Sequence, residues 1–136
     1  MSPSVAEAKR PVRIAQIAAS NVDRHEIFSM LAKTKEADVF CGDWMSEWNM
    51  CARGAGKAMG LEEFSYEETF VDAITPALED LEKNGIKVAV NAGATDTAKL
   101  HGVISELVKK KGLKLNVAYV DGDVVTVRSS NFTNAK

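Results

Sequence analysis

Residues 87–96, Lys-Val-Ala-Val-Asn-Ala-Gly-Ala-Thr-Asp, constrain the fold more than any other stretch of the chain. Val88, Ala89 and Val90 are branched or small and show no polar alternation, as in a strand covered on both faces. Such strands belong to parallel sheets, whose ligands sit beyond the carboxyl ends of the strands. The polar loop from Asn91 to Asp96 is therefore the first place to look for chemistry.

Other segments repeat the pattern. Val12 to Ala19 and Ala37 to Cys41 read as strands, Leu115 to Val120 as a fourth and Val124 to Val127 as a fifth. Helices are predicted between them. One starts at Asp23, with Glu26 completing a capping box, and runs to about Lys33; another spans Trp44 to Met59. A third starts at the capping box of Ser65 and Glu68, is kinked or divided by Pro76, and stops at Asn84-Gly85. In the last, capped by Thr95 or Asp96, Leu100, Val103, Ile104, Leu107 and Val108 follow the i, i+3, i+4, i+7, i+8 spacing up to Gly112.

Strands alternating with helices predict a three-layer, Rossmann-like α/β domain. It has a mostly parallel sheet of four to five strands with helices on both faces. The domain is placed at residues 12–128, between a loose leader at 1–11 and a polar tail at 129–136.

At 136 residues and a formal charge of -2, the chain is one domain with no basic surplus for nucleic acid. The run Lys109 to Lys111 reads as a solvated helix end rather than a phosphate-binding patch. No segment has the roughly 20 apolar residues of a bilayer span. Two cysteines, Cys41 and Cys51, make no disulfide framework, and the N-terminus shows no signal-peptide pattern; the expected location is cytoplasmic.

If the strand order is right, the loops at 18–24, 42–47, 91–96 and 121–123 meet on one edge of the sheet. They would bring Asp23, Asp43, Glu47, Asp96, Asp121 and Asp123 into an acidic rim, where like charges raise one another's pKa and suit a carboxyl group to acid catalysis. The structural reading of each is plain: Asp23 and Asp96 as helix caps, Asp121-Gly122 as a turn. No cofactor is predicted. A hard cation such as Mg²⁺ on the rim is the minor alternative, since the spacing matches no metal motif.

Asn91 offers a donor and an acceptor, either to a ligand or to tie its loop to a neighbouring strand, and Gly93 lets backbone approach a ligand. His25 and His101, near helix starts on this edge, read as exposed and idle or else as proton-transfer groups; Trp44 and Trp48, four apart, read as core packing or as the lining of an apolar pocket. Gly54-Ala55-Gly56-Lys57 is not a phosphate loop, because no strand precedes it and no Ser or Thr follows the lysine.

Three motifs in order, Gly42-Asp43-Trp44-Met45-Ser46-Glu47, Ile86 to Gly93 and Val120-Asp121-Gly122-Asp123, resemble the N-terminal part of the acyclic terpene utilisation family. The resemblance covers residues 12 to 125. It implies the first domain of a longer architecture standing alone, in breakdown of branched isoprenoid acids as acyl thioesters or in tailoring of secondary metabolites. Two positions depart from the pattern. The glycine-rich first loop is replaced by Ala18 to Val22 while the pair Asp23-Arg24 remains, and the second glycine of the Asn-Ala-Gly-Gly loop is Ala94.

Together these readings predict a lyase or hydro-lyase acting on a carboxylic acid or acyl thioester. Asp43, Glu47, Asn91, Asp121 and Asp123 are the candidate catalytic residues. Asp23, Arg24, Gly93, Thr95 and Trp44 are the candidate substrate contacts, with Arg24 pairing a substrate carboxylate. The alternative is a non-catalytic module that binds a ligand or completes a larger enzyme. Self-association or a second subunit is expected in either case.

Overall fold

A computed structural model describes residues 10–61 and 65–122. Its elements are β1 (Ile14–Ala18), α1 (Glu26–Thr34), β2 (Val39–Gly42), α2 (Glu47–Ala58), α3 (Glu68–Ile74), α4 (Leu78–Asn84), β3 (Lys87–Val90) and α5 (Thr97–Lys110). The strands form one parallel sheet in the order β1-β2-β3. Among the described residues the sheet therefore has three strands, not four or five. The segment expected as a fourth strand packs Leu115 and Val117 against the core but forms no ladder, and the fifth lies outside the described residues.

Register divides the strand residues between two faces. Ala15, Phe40 and Val88 form one row, and Ala18, Gly42 and Val90 the next on the same side. These rows face one core shared with Phe28, Ala32, Phe70, Ile74, Leu78, Leu81, Leu100, Ile104 and Val108. The other face carries Ile14, Val39 and Lys87, then Gln16, Cys41 and Ala89. Ile14 is 66% exposed there, and Gln16, Lys87 and Ala89 are exposed as well.

Helices on both faces are thus not found among the described residues, and the cause is topological. A right-handed crossover from each strand to the next, always stepping the same way along the sheet, lays every connecting helix on the same side. The strand order never reverses, so nothing described covers the second face.

Local signals are met unevenly. Pro76 separates α3 from α4, and Gly85, with φ 66°, ends α4 in the left-handed conformation that glycine accepts without strain. Asp96 caps α5 by accepting the Lys99 N–H at 3.0 Å. The two expected capping boxes do not form. Helix α1 starts without a side-chain cap because Asp23 turns back to accept the Ala19 N–H at 2.7 Å, and α3 starts at Glu68 with no bond from Ser65.

Aromatic edges fix the core beneath the carboxyl end of the sheet. Phe28 meets Phe40 at 5.5 Å and 89°, and Trp44 meets Phe70 at 5.1 Å and 74°. Both are the edge-to-face geometry that the ring quadrupole favours. The indole of Trp44 lies directly over Gly42, where a Cβ would fall 2.1 Å from its ring.

Candidate functional site

The strands β2 and β3 end side by side, since Gly42 is paired with Val90, so the residues that follow them, Asp43 and Asn91, are brought together. Asn91 Nδ2 donates to Asp43 Oδ1 at 2.6 Å, and Asn91 Oδ1 accepts the Trp44 N–H at 2.8 Å. The Met45 N–H also donates to Asp43 Oδ1, at 3.0 Å, closing a tight turn. Two donors on one oxygen, the Asn91 amide first and the Met45 N–H second, hold the Asp43 carboxyl below its ordinary range despite a small opposing effect of burial. Asp43 is ionised at neutral pH. Its second oxygen has no partner in the protein among the described residues, and the residue is exposed.

Ser46, 3.3 Å from the Asn49 N–H, caps α2, and buried Asn49 donates to the Trp44 carbonyl at 2.9 Å. Residues 43–46 are thereby held at both ends, which fixes where Asp43 points.

Among the described residues the acidic rim does not form a metal-binding cluster. No group of three or more His, Cys, Asp or Glu gathers closely enough among the described residues to hold a metal ion. Asp23 braces its own loop, Asp96 caps α5, and Glu47 stands exposed in the first turn of α2. Asp121 is exposed, and Asp123 lies outside the described residues. The expectation that crowding raises a carboxyl pKa is corrected at Asp43, where hydrogen bonding lowers it.

Several predicted contacts serve the fold. Trp44 is 1% exposed and belongs to the core, whereas Trp48 is 76% exposed, because α2 begins after Trp44 and the two share no helix face. Gly93 is buried against the first turn of α5, where a Cβ would lie 2.9 Å from the Thr97 Cα. Thr95 Oγ1 donates to the Ser65 carbonyl at 3.1 Å. Arg24 is exposed. Ala94 adopts φ 49°, so the backbone keeps a glycine-like conformation although a side chain is present.

Three features near this edge carried no usable sequence signal. Arg53 forms a two-pronged ion pair with Glu67, at 2.8 and 2.9 Å, and Glu67 is 1% exposed. The Glu67 N–H donates to the Ala92 carbonyl at 2.9 Å, so this buried pair braces the Asn91 loop from behind. A hollow of about 350 Å³ is lined by Lys57, Gly60, Leu61, Ser65, Asp96 and Lys99. Lys57 Nζ donates to the Thr95 carbonyl at 2.6 Å, a tie between residues 38 positions apart that nothing in the spacing announces.

The fold is a parallel α/β domain, and its Asp43–Asn91 pair stands at the carboxyl edge of the sheet, where open sheets of this class bind their ligands. The chain belongs to the acyclic terpene utilisation family, with the description acyclic terpene utilisation family protein AtuA matching residues 12–136. Neither the curated proteins nor the solved structures yielded a match to this chain.

Proposed function

We propose that this protein acts on a branched, isoprenoid-like carboxylic acid or acyl thioester, with Asp43 as the proton-transferring group of a hydro-lyase reaction. The observation that carries this reading is the Asn91–Asp43 bond: one carboxylate oxygen is fixed and the other is open, the arrangement of a positioned base. In the hydration direction a water oxygen bonds to the β-carbon of an α,β-unsaturated acyl group while Asp43 takes the water's proton. The electron pair of the double bond moves to the α-carbon and the acyl oxygen, and the α-carbon is then protonated from solvent. In dehydration Asp43 returns its proton to the leaving hydroxyl. A base with a lowered pKa is weak in water, and covering the site with substrate strengthens it by desolvation.

Asn91 is a positioning residue in this scheme, because both ends of its amide are already engaged by Asp43 and Trp44. The test is turnover of branched enoyl thioesters by Asp43→Asn and Asn91→Ala. Asp43→Asn is expected to abolish hydration, and Asn91→Ala to reduce it by about 10²-fold while shifting its pH profile to higher pH. Full activity in Asp43→Asn would remove the catalytic assignment.

A second reading is favoured by the sheet face of Ile14, Gln16, Cys41 and Ala89, which no described residue layer covers. It makes the domain the site-bearing half of a larger enzyme whose second subunit supplies the missing layer. Sedimentation of the protein with Ile14→Glu distinguishes the two, since a subunit seated on this face dissociates when a charge is placed there.

A further inference from the structure

We propose that the outer face of α2 is an interface between two copies of this chain, which pair through antiparallel α2 helices. The helix is amphipathic in the reverse of the usual sense. Its inward side is polar: Asn49 and Gly56 are its buried residues, Asn49 donates to the Trp44 carbonyl at 2.9 Å, and Arg53 is ion-paired at 2.8 Å with buried Glu67. Lys57 adds a tie to the Thr95 carbonyl. Among the described residues the hydrophobic core takes no side chain from α2.

The apolar residues of α2 and its C-cap lie on the other side. Trp48, Cys51, Ala52, Ala55, Ala58 and Met59 follow the i, i+3, i+4, i+7, i+10, i+11 spacing of one helix face. Trp48 is 76% exposed and Met59 74%; Cys51, Ala55 and Ala58 are exposed, Ala52 is half-buried, and no charged residue interrupts the stripe. Single apolar side chains on a surface are ordinary, but a continuous stripe anchored by an exposed indole marks a contact surface.

A second copy fits this surface. The stripe is large at its ends and small in its middle, with Trp48 and Met59 about three helical turns apart around Ala52 and Ala55. Two such helices crossing antiparallel at their alanines approach closely, and the twofold axis sets Trp48 of each copy against Met59 of the other, a sulfur–aromatic contact made twice. A parallel pair would oppose indole to indole and forgo both contacts. Trp48 and Met59 with the small residues between them expose roughly 500 Å², so two copies bury about 1,000 Å², the lower end of a specific interface. Residues 43–46 lead from Asp43 straight into α2, so pairing through this helix steadies the candidate site of both copies.

The inference does not rest on the hydration reading, and it uses a surface other than the sheet face of Ile14. Sedimentation equilibrium of the full chain is expected to show a monomer–dimer equilibrium with a Kd on the order of micromolar. The Trp48→Glu, Met59→Glu double variant is expected to raise that Kd by at least about 100-fold with an unchanged circular dichroism spectrum, because both side chains are exposed, whereas Ile14→Glu leaves the dimer intact. Cross-linking reads the orientation independently of the charged variant. In a Cys41→Ala, Cys51→Ala background, a mixture of Trp48→Cys chains and Met59→Cys chains treated with copper phenanthroline is expected to form chiefly the disulfide between position 48 of one chain and position 59 of the other. A monomer at millimolar concentration, a dimer unaffected by the double substitution or dissociated by Ile14→Glu, or preferential linkage between two positions 48 would each overturn the assignment.

Discussion

Asn91 Nδ2 lies 2.6 Å from Asp43 Oδ1, joining two residues 48 positions apart through the ends of neighbouring strands. The contact orients the carboxylate and lowers its pKa, while its second oxygen has no partner among the described residues. It follows that Asn91→Ala raises the Asp43 pKa toward the ordinary value. A pH titration of the Asp43 carboxyl carbon by NMR checks this directly, and an unchanged midpoint would show that the Met45 N–H dominates.

The same pair sets a pH dependence of stability. The folded-state pKa of Asp43 is below its unfolded value of about 3.9, so its contribution is present above that value and is lost as pH falls through the folded pKa. Asp38 is held low in the same direction, chiefly by the Arg10 guanidinium, then by the Arg13 N–H. Denaturant midpoints are therefore expected to fall steeply below about pH 4, and less steeply in the Asp38→Asn, Asn91→Ala double variant.

Ala94 is the residue whose replacement should improve the protein. It holds φ 49° with a Cβ, a conformation that costs a non-glycine residue roughly 1–2 kcal/mol. Ala94→Gly recovers part of this, less the greater unfolded-state entropy of glycine, for a net gain of about 1 kcal/mol in a urea titration.

Glycines at Gly42 and Gly93 behave in the opposite way. A Cβ at Gly42 enters the Trp44 ring at 2.1 Å, and one at Gly93 meets the Thr97 backbone at 2.9 Å. Each alanine substitution is expected to destabilise by about 1–3 kcal/mol, with Gly42→Ala also broadening the Asp43 and Asn91 resonances as Trp44 is displaced.

Removing the guanidinium from the buried Arg53–Glu67 pair strands a carboxylate that is 1% exposed. Arg53→Met is expected to cost about 3–5 kcal/mol, whereas the Arg53→Met, Glu67→Leu double variant recovers most of it. Thermal unfolding of the three proteins measures the difference.

Much of this architecture is legible in residue order alone. The unbroken apolar run at Val88 to Val90, the Pro76 break, the Gly85 stop and the spacing from Leu100 to Val108 each declare a local conformation, because backbone sterics and helical periodicity act over a few residues. The motif around Asp43 and the Asn91 loop identified the family over nearly the whole chain.

Tertiary structure decided the rest. Whether Asp23 caps a helix or closes its own loop depends on where the Ala19 N–H falls, and whether Gly93 receives a ligand or packs on Thr97 depends on how α5 leaves β3. How far apart the candidate carboxylates stand is set by strand register, not by their spacing in the chain. Two of the predicted strand ends adjoin and place Asn91 on Asp43, while strands stepping always in one direction leave the other face of the sheet uncovered among the described residues. Pairings between residues tens of positions apart leave no periodic trace in a single sequence, which is why the Arg53–Glu67 brace and the Lys57–Thr95 tie emerged only from the folded chain.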